Sequence, residues 1–156
     1  MLLMEETIDP THLLIFALDG QRYALPLAAV DRVVRAAALT PLPKAPEIVL
    51  GVLDLQGEII PVINLRKRFR LPERPIGCDD QFLVARTAKF PVALAVDSTH
   101  EVVRLSPEAV VKPEAIVPGT GHLCGVTRHA DGLVLIHDLD TLLFPDEELQ
   151  IAEALA

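Results

Sequence analysis

The chain is poor in aromatic residues and in cysteine. Its 156 residues include no Trp, one Tyr, five Phe and two Cys, which are Cys78 and Cys124. A core must therefore be built from aliphatic side chains, and Val and Ile favour strands because their branched Cβ fits a pleated surface. The two cysteines could form one bridge, but a chain of this length buries a sizeable core without it. We predict a β-rich protein in a reducing, cytoplasmic compartment.

Basic residues are also scarce. The chain has 14 Lys and Arg against 22 Asp and Glu, which gives a formal net charge of -8. This field repels the phosphates of nucleic acids and of anionic lipids, so we expect no nucleic-acid partner. The one basic cluster consists of Arg66, Lys67, Arg68 and Arg70. We interpret it as a solvated helix face, with a patch for an acidic partner as the alternative.

Long hydrophobic runs are absent as well. A membrane-spanning helix needs about 20 consecutive apolar residues. The N-terminal ten residues contain Glu5 and Glu6 and have no basic flank, so they resemble neither a signal peptide nor an anchor. We expect no direct membrane insertion, and we assign residues 1–12 to an N-terminal tail.

The sequence also lacks a recognisable catalytic or metal-binding group. Ser98 and Ser106 lie in no nucleophile elbow and have no base at a suitable spacing. Three histidines and one cysteine could bind zinc but follow no compact ligand spacing, and we interpret them as scattered residues: His122, Cys124, His129 and His137. We therefore predict no enzymatic activity, no cofactor and no metal.

One segment, 48–69, has the pattern of a β-hairpin that exposes its polar tip to a partner. Two aliphatic runs flank a polar tip at 54–58, and Pro61 interrupts the second run. Alternating apolar residues around Gly57 predict a β-hairpin, and a proline in the returning strand confines that strand to a sheet edge or a bulge. Our first hypothesis is therefore that the protein binds a partner and does not catalyse a reaction.

The chain also repeats itself weakly. Leu14, Leu25, Val33 and Val34 match residues 69 positions later, namely Leu83, Leu94, Val102 and Val103. Residues 74 positions apart also match: Gly51 with Gly125, Val52 with Val126, Asn64 with Asp138, and Leu65 with Leu139. Five short strands in each half predict two small barrels or strongly bent sheets.

The predicted strands and boundaries follow from this repeat. In the first half the strands are 13–18, 22–26, 32–39, 49–55 and 58–64, and in the second half 81–87, 92–96, 101–105, 121–127 and 133–137. Proline-rich or polar segments separate them at 39–46, 72–80 and 106–121. We assign lobe one to about 13–71, lobe two to about 81–144, and a C-terminal helix with an acidic first turn to 145–156.

The hairpin and the repeat together resemble the CheW family of chemotaxis coupling adaptors. The likeness covers about 13–144. It is strongest where the family has Gly-Val, then Asn-Leu-Arg-Gly, then Ile-x-Pro-Val-x-Asp-Leu-Arg, which appear here as Gly51-Val52, residues 54–57 and residues 59–66. The resemblance implies two intertwined SH3-like five-stranded barrels with short helices, and a non-catalytic adaptor that links chemoreceptors to the histidine kinase CheA.

The departures from the family pattern lie at the contact region. Asp54 replaces the family's Asn, Gln56 its Arg, Asn64 its Asp, and Arg32 stands where the family often has Glu. Glutamine cannot copy the guanidinium fork, since a charge-assisted hydrogen bond contributes roughly 1.5 to 3 kcal/mol against about 1 for a neutral one.

We therefore expect a non-catalytic adaptor between a CheA-type histidine kinase and the cytoplasmic tip of a chemoreceptor. The residues expected to bind partners are Val30, Arg32, Val33, Asp54, Leu55, Gln56, Gly57 and Glu58. Two alternatives are a CheW-like scaffold of another receptor–kinase pathway, such as surface motility, and a small-ligand sensor that uses the cleft between the lobes.

Overall fold

A computed structural model describes residues 12–104, 110, 123–130 and 132–156. Its ten strands are β1 His12–Leu18, β2 Gln21–Pro26, β3 Val30–Arg35, β4 Val49–Leu55, β5 Glu58–Ile63, β6 Gln81–Arg86, β7 Pro91–Val96, β8 Ser98–Arg104, β9 Leu123–His129 and β10 Gly132–His137. The helices are α1 Leu65–Arg68 and α2 Pro145–Leu155, with 3-10 turns at Leu27–Ala29 and Leu139–Thr141.

The strands form two five-stranded sheets. The first sheet has the order β8-β1-β2-β10-β9, and the second has the order β3-β6-β7-β5-β4. Within each sheet one pair is parallel, β2 with β10 and β5 with β7, and the remaining pairs are antiparallel. The mainly β fold with two five-stranded sheets and a C-terminal helix is confirmed.

Each sheet takes strands from both halves of the sequence. The second sheet uses β3 to β7, whereas the first uses β1 and β2 together with β8 to β10. The lobes therefore do not coincide with the halves 13–71 and 81–144, because the first two strands of each repeat pair with the last three strands of the other. The two repeats thus exchange their first two strands, as identical units do in domain swapping, and each sheet keeps a complete set of five strands.

Each sheet has buried side chains on both of its faces, and these form three hydrophobic cores. A central core between the sheets contains Leu14, Phe16 and Leu25 from one side and Leu83 and Leu94 from the other. Each sheet also encloses an inner core, formed by Leu53, Ile60, Val62, Phe82, Val84 and Ala93 in the second sheet and by Leu13, Ile15, Ala24, Val134 and Ile136 in the first. Alternating residues of a strand supply the two cores, since successive side chains point to opposite faces.

The sequence repeat reappears as structural equivalence of β3 and β8. Val34 packs against the inner core of the second sheet, and Val103 packs against that of the first. Their neighbours Val33 and Val102 are 36% and 47% exposed. The two strands thus present matching valines to solvent.

The second part of the repeat begins a short helical turn with a side-chain cap in both copies. Asn64 accepts a hydrogen bond from the Lys67 N–H at the start of α1, and Asp138 accepts one from the Asp140 N–H in the following 3-10 turn. The next residue in each copy, Leu65 or Leu139, is buried in the central core.

The C-terminal helix packs onto the central core. Its Ile151 is fully buried there, and Glu147 accepts a hydrogen bond from the Phe144 N–H at the start of α2. Glu147 also forms an ion pair with Arg68 of α1. This contact fixes the end of the chain against the short helix that follows β5.

The interpretation of the basic cluster as a solvated helix face is wrong for two of its residues. The side chains of Arg66 and Arg68 are only 10% and 8% exposed and form ion pairs. Lys67 and Arg70 are exposed. The difference arises because acidic groups distant in sequence, Asp97 and Glu147, fold over the short helix.

Some predicted features lie outside the described residues. These are the N-terminal tail apart from His12, and the loop 106–121 apart from Val110.

Cys78 is an exposed free thiol. Among the described residues, no helix combines the length and the apolar character that crossing a bilayer requires.

Candidate functional site

The hairpin between β4 and β5 ends in a tight two-residue turn. Leu55 and Glu58 form the last pair of the ladder, and the two residues between them, Gln56 and Gly57, have φ of 55° and 91°. Positive φ at both positions is the geometry of a type I′ turn, which matches the twist of the strands. The Asp54 carboxylate accepts a hydrogen bond from the Gly57 N–H at 2.9 Å and fixes the turn.

The base of this hairpin is shaped by a close backbone crossing at Gly51. Thr40 forms a bridge with Val52, with N–H to O distances of 3.1 and 2.7 Å. A Cβ on Gly51 would lie 2.8 Å from the Thr40 carbonyl oxygen. The chain that leaves β3 therefore reaches β4 only because position 51 has no side chain.

Arg86 connects the hairpin tip to β3. Its Nη2 atom lies 3.6 Å from Asp31 Oδ2 on β3 and 3.6 Å from Glu58 Oε1 at the start of β5. Although β3 and β4 are the two outer strands of the second sheet, the sheet bends enough for the hairpin tip and β3 to share one arginine. We call the combined patch the hairpin–β3 surface and define it by Asp31, Arg32, Val33, Asp54, Gln56, Glu58, Ile59 and Arg86.

The residues expected from the sequence to bind partners fall into two groups. Five are exposed, and Glu58 is half-buried in its ion pair with Arg86; the exposed ones are Arg32, Val33, Asp54, Gln56 and Gly57. Val30 and Leu55 instead pack against the central core and the inner core of the second sheet. These two side chains support the surface from beneath.

Sequence reasoning missed Asp31, Ile59 and Arg86. Ile59 is 46% exposed beside fully buried Ile60, and because residues 60–63 are all buried, alternation along β5 does not identify Ile59. No local pattern identifies Arg86, because its contacts with Asp31 and Glu58 depend on how the sheet bends.

A second polar cluster lies beyond the C-terminal ends of β5 and β7 and is structural. Arg66 donates to both oxygens of Asp97, at 2.7 and 2.9 Å, and to the Pro72 carbonyl at 2.9 Å. Arg74 donates to both oxygens of Asp80 at 2.8 Å and to Asp97 at 2.7 Å. Since Asp97 also accepts the Asp19 N–H of the β1–β2 turn, the cluster connects the two sheets and the linker after α1.

The cluster changes the acidity of its members. Burial raises the pKa of Asp97, but the hydrogen bonds from the Asp19 N–H and from Arg66 outweigh burial and hold that pKa below its ordinary value. The hydrogen bond from Arg74 likewise lowers the pKa of Asp80, and the same contact raises the pKa of Arg74. The ionised forms are therefore the stable forms in the folded protein.

We expect a specific acid dependence of stability from these two carboxylates. Their pKa values are lower in the folded than in the unfolded chain, so their stabilisation is fully present above about pH 4 and is lost as the pH falls through the folded-state pKa. Urea unfolding between about pH 6 and pH 2 should show this decline, and Asp80→Asn should make it shallower. An equally steep decline in Asp80→Asn would contradict the assignment.

The histidines considered for metal binding have other contacts. His129 pairs with Glu101 at 2.8 Å, and buried His137 stacks on Phe69 with ring centroids 4.6 Å apart. His122 lies outside the described residues, as does the side chain of Cys124. Within the described part of the chain, no group of three or more His, Cys, Asp or Glu could hold a metal ion.

Two interlocked sheets that present an exposed hairpin and an edge strand define a protein-interaction module. The family model of the CheW-like domain matches residues 12–145. The chemotaxis protein CheW of Treponema pallidum is 31% identical over 144 residues, which cover 88% of this chain and 84% of that protein. The protein FrzA of Myxococcus xanthus is 30% identical over 115 residues, or 72% of this chain and 71% of FrzA.

A solved structure supports the same assignment. The scaffolding protein TtCheW of Thermoanaerobacter tengcongensis superposes with a TM-score of 0.79 at 28% identity, covering 88% of this chain and 95% of that chain. The chain belongs to the CheW-like family. It is a chemotaxis adaptor that couples chemoreceptors to a CheA-type histidine kinase.

Proposed function

We propose that the hairpin–β3 surface receives the helical cytoplasmic tip of a chemoreceptor, while aliphatic sheet edges dock on the regulatory domain of the CheA-type kinase. The chain would then act as a non-catalytic bridge in the cytoplasm, where both partners present these parts. The observation that carries the proposal is the pair of Arg86 contacts, because they make the hairpin tip and β3 one continuous surface.

The composition of this surface suits a helix. Val33 and Ile59 are exposed apolar side chains, and burying them contributes about 25 cal/mol per Å². Charged and polar groups surround them, namely Asp31, Arg32, Asp54, Gln56 and Glu58. In such an interface apolar burial supplies most of the free energy, while the polar groups determine which partner is accepted.

The sensor alternative is not favoured by the packing between the sheets. The central core fills that region with buried side chains that include Phe16, Leu18, Leu25, Leu83 and Leu94. A ligand-binding cleft there would require an open, partly polar lining.

The proposal is tested by a matched pair of variants at equivalent exposed valines. We expect Val33→Asp to weaken binding to a purified receptor cytoplasmic fragment at least tenfold, because a carboxylate replaces an exposed apolar side chain of the surface. Val102→Asp makes the same change on β8 and should leave receptor affinity within about twofold. Isothermal titration gives both affinities, and circular dichroism verifies that both variants are folded.

A second matched pair uses the other exposed apolar residue. Leu133 pairs with Arg128 in the first sheet as Ile59 pairs with Asp54 in the second. Receptor-stimulated kinase activity in vesicles should therefore fall with Ile59→Asp and remain with Leu133→Asp. Equal losses in both members of either pair would refute the assignment of the receptor site to the second sheet.

A further inference from the structure

The charges of the hairpin–β3 surface are internally satisfied with one exception. Arg86 lies between the carboxylates of Asp31 and Glu58, and Asp54 accepts the Gly57 N–H. Arg32 is exposed, and its side chain has no ion pair or hydrogen bond with any described residue. The guanidinium of Arg32 is therefore the one charged group of this surface that is left for a partner, as far as the structure describes the chain.

The fold itself does not require an arginine at this position. The equivalent residue on β8, 69 positions later, is Glu101, although the flanking pairs keep their type: Val33 with Val102, Val34 with Val103, and Arg35 with Arg104. Glu101 is paired with His129 within its own sheet. The equivalent edge strands β3 and β8 thus carry opposite charges at this position. Glu101 on β8 is paired within its sheet, whereas Arg32 on β3 is exposed and has no partner among the described residues.

The position of Arg32 places it near the hairpin rather than at the far end of β3. Arg32 pairs with Val84, two residues from Arg86 along β6, whereas Arg35 pairs with Gln81 at the opposite end of the strand. Three residues of a strand span about 10 Å. Asp31, the neighbour of Arg32, is the residue that Arg86 connects to the tip.

We propose that Arg32 determines receptor specificity by recognising an Asp or Glu side chain on the receptor tip, with Gln56 contributing a neutral contact beside it. The inference rests on the proposed function, since it assigns partner chemistry to the same surface. A guanidinium presents a planar fork of donors that matches both oxygens of a carboxylate. A receptor carboxylate would form a bidentate pair with Arg32, and a receptor with a basic residue at that place would be rejected.

The test compares charge reversals at two exposed arginines of the same strand. We expect Arg32→Glu to weaken binding to the purified receptor cytoplasmic fragment about tenfold in 50 mM salt, and by much less in 500 mM salt, because screening weakens the repulsion. Arg35→Glu makes the same change in net charge about 10 Å away and should change affinity less than threefold. Arg32→Gln should be intermediate, as it removes the charge without reversing it.

A compensating change identifies the partner group directly. Each Asp and Glu of the receptor fragment is replaced by Lys in turn, and one replacement should restore the affinity of Arg32→Glu while weakening the wild type. Similar losses in Arg32→Glu and Arg35→Glu, tighter binding of Arg32→Glu, or the absence of any rescuing replacement would each overturn the inference.

Failure of the inference is distinguishable from failure of the proposed function. If Val33→Asp abolishes receptor binding and Arg32→Glu does not weaken it, the surface is the receptor site but Arg32 does not determine specificity. If the wild type does not bind the fragment, both proposals fall together.

Discussion

Replacing Asp97 with Asn is expected to lower the free energy of unfolding by about 2–3 kcal/mol. Asp97 accepts hydrogen bonds from Arg66, Arg74 and the Asp19 N–H, and its side chain is 27% exposed. The variant leaves the buried guanidinium of Arg66 with only the Asp19 carboxylate, at 3.6 Å, and removing one partner of a buried pair is more damaging than replacing both. We place the effect below that of a fully buried pair because water reaches one side of Asp97.

The control for this variant is Asp79→Asn. Asp79 is exposed one residue from Asp80 and, within the described residues, takes part in no ion pair, so its neutralisation should change stability by less than about 0.5 kcal/mol. Urea midpoints at pH 7 give the two values. A change of less than 1 kcal/mol in Asp97→Asn would show that the cluster does not hold the sheets together.

Replacing Gly51 with Ala is expected to lower the free energy of unfolding by about 2–3 kcal/mol. The new Cβ would lie 2.8 Å from the Thr40 carbonyl oxygen and 3.0 Å from Leu39 Cβ, and a backbone atom cannot rotate away as a side chain can. The φ of Gly51, 156°, also lies in a region that residues with a Cβ rarely adopt. The variant should open the Thr40–Val52 bridge and loosen the base of the hairpin.

Two glycine variants separate the steric effect from the conformational one. Gly77→Ala meets only ordinary contacts at 3.8 Å and should be nearly neutral, while Gly57→Ala, with φ of 91° and open space around it, should lose about 1 kcal/mol from backbone strain alone. Hydrogen exchange should show faster exchange of the Thr40 and Val52 amides in Gly51→Ala than in Gly57→Ala. Equal stability of the Gly51 and Gly77 variants would contradict the close crossing.

Much of the secondary structure follows from local patterns. The hairpin at 48–69 was predictable because Gln56-Gly57 lies between alternating apolar runs, and the strands 49–55, 81–86 and 132–137 lie within one residue of their predicted bounds. The bounds of two edge strands were predicted less accurately: β3 ends at Arg35 rather than at residue 39, and β8 begins at Ser98 rather than at residue 101. Between β3 and β4, a segment that the structure describes throughout, Thr40 forms an isolated bridge with Val52, and the alanine-rich sequence does not encode this contact locally.

The candidate site was predictable only in part. Turn chemistry identified residues 54–58, and the resemblance added Arg32 and Val33. The sequence could not show that Val30 and Leu55 pack inward, or that Arg86 contacts both β3 and the tip. The four basic residues among positions 66–70 were interpreted as a solvated helix face. Arg66 and Arg68 are instead buried in ion pairs with carboxylates more than thirty residues away in sequence.

The amino-acid sequence by itself determined the β-rich class of this protein, its internal repeat, the presenting hairpin and its family. Only the tertiary structure decided which strands share a sheet, which cations are satisfied internally, and that Arg32 is exposed without a partner among the described residues. The reason is physical. Turn geometry and side-chain alternation are properties of neighbouring residues, whereas strand pairing and ion pairing depend on groups that meet only after the chain has folded.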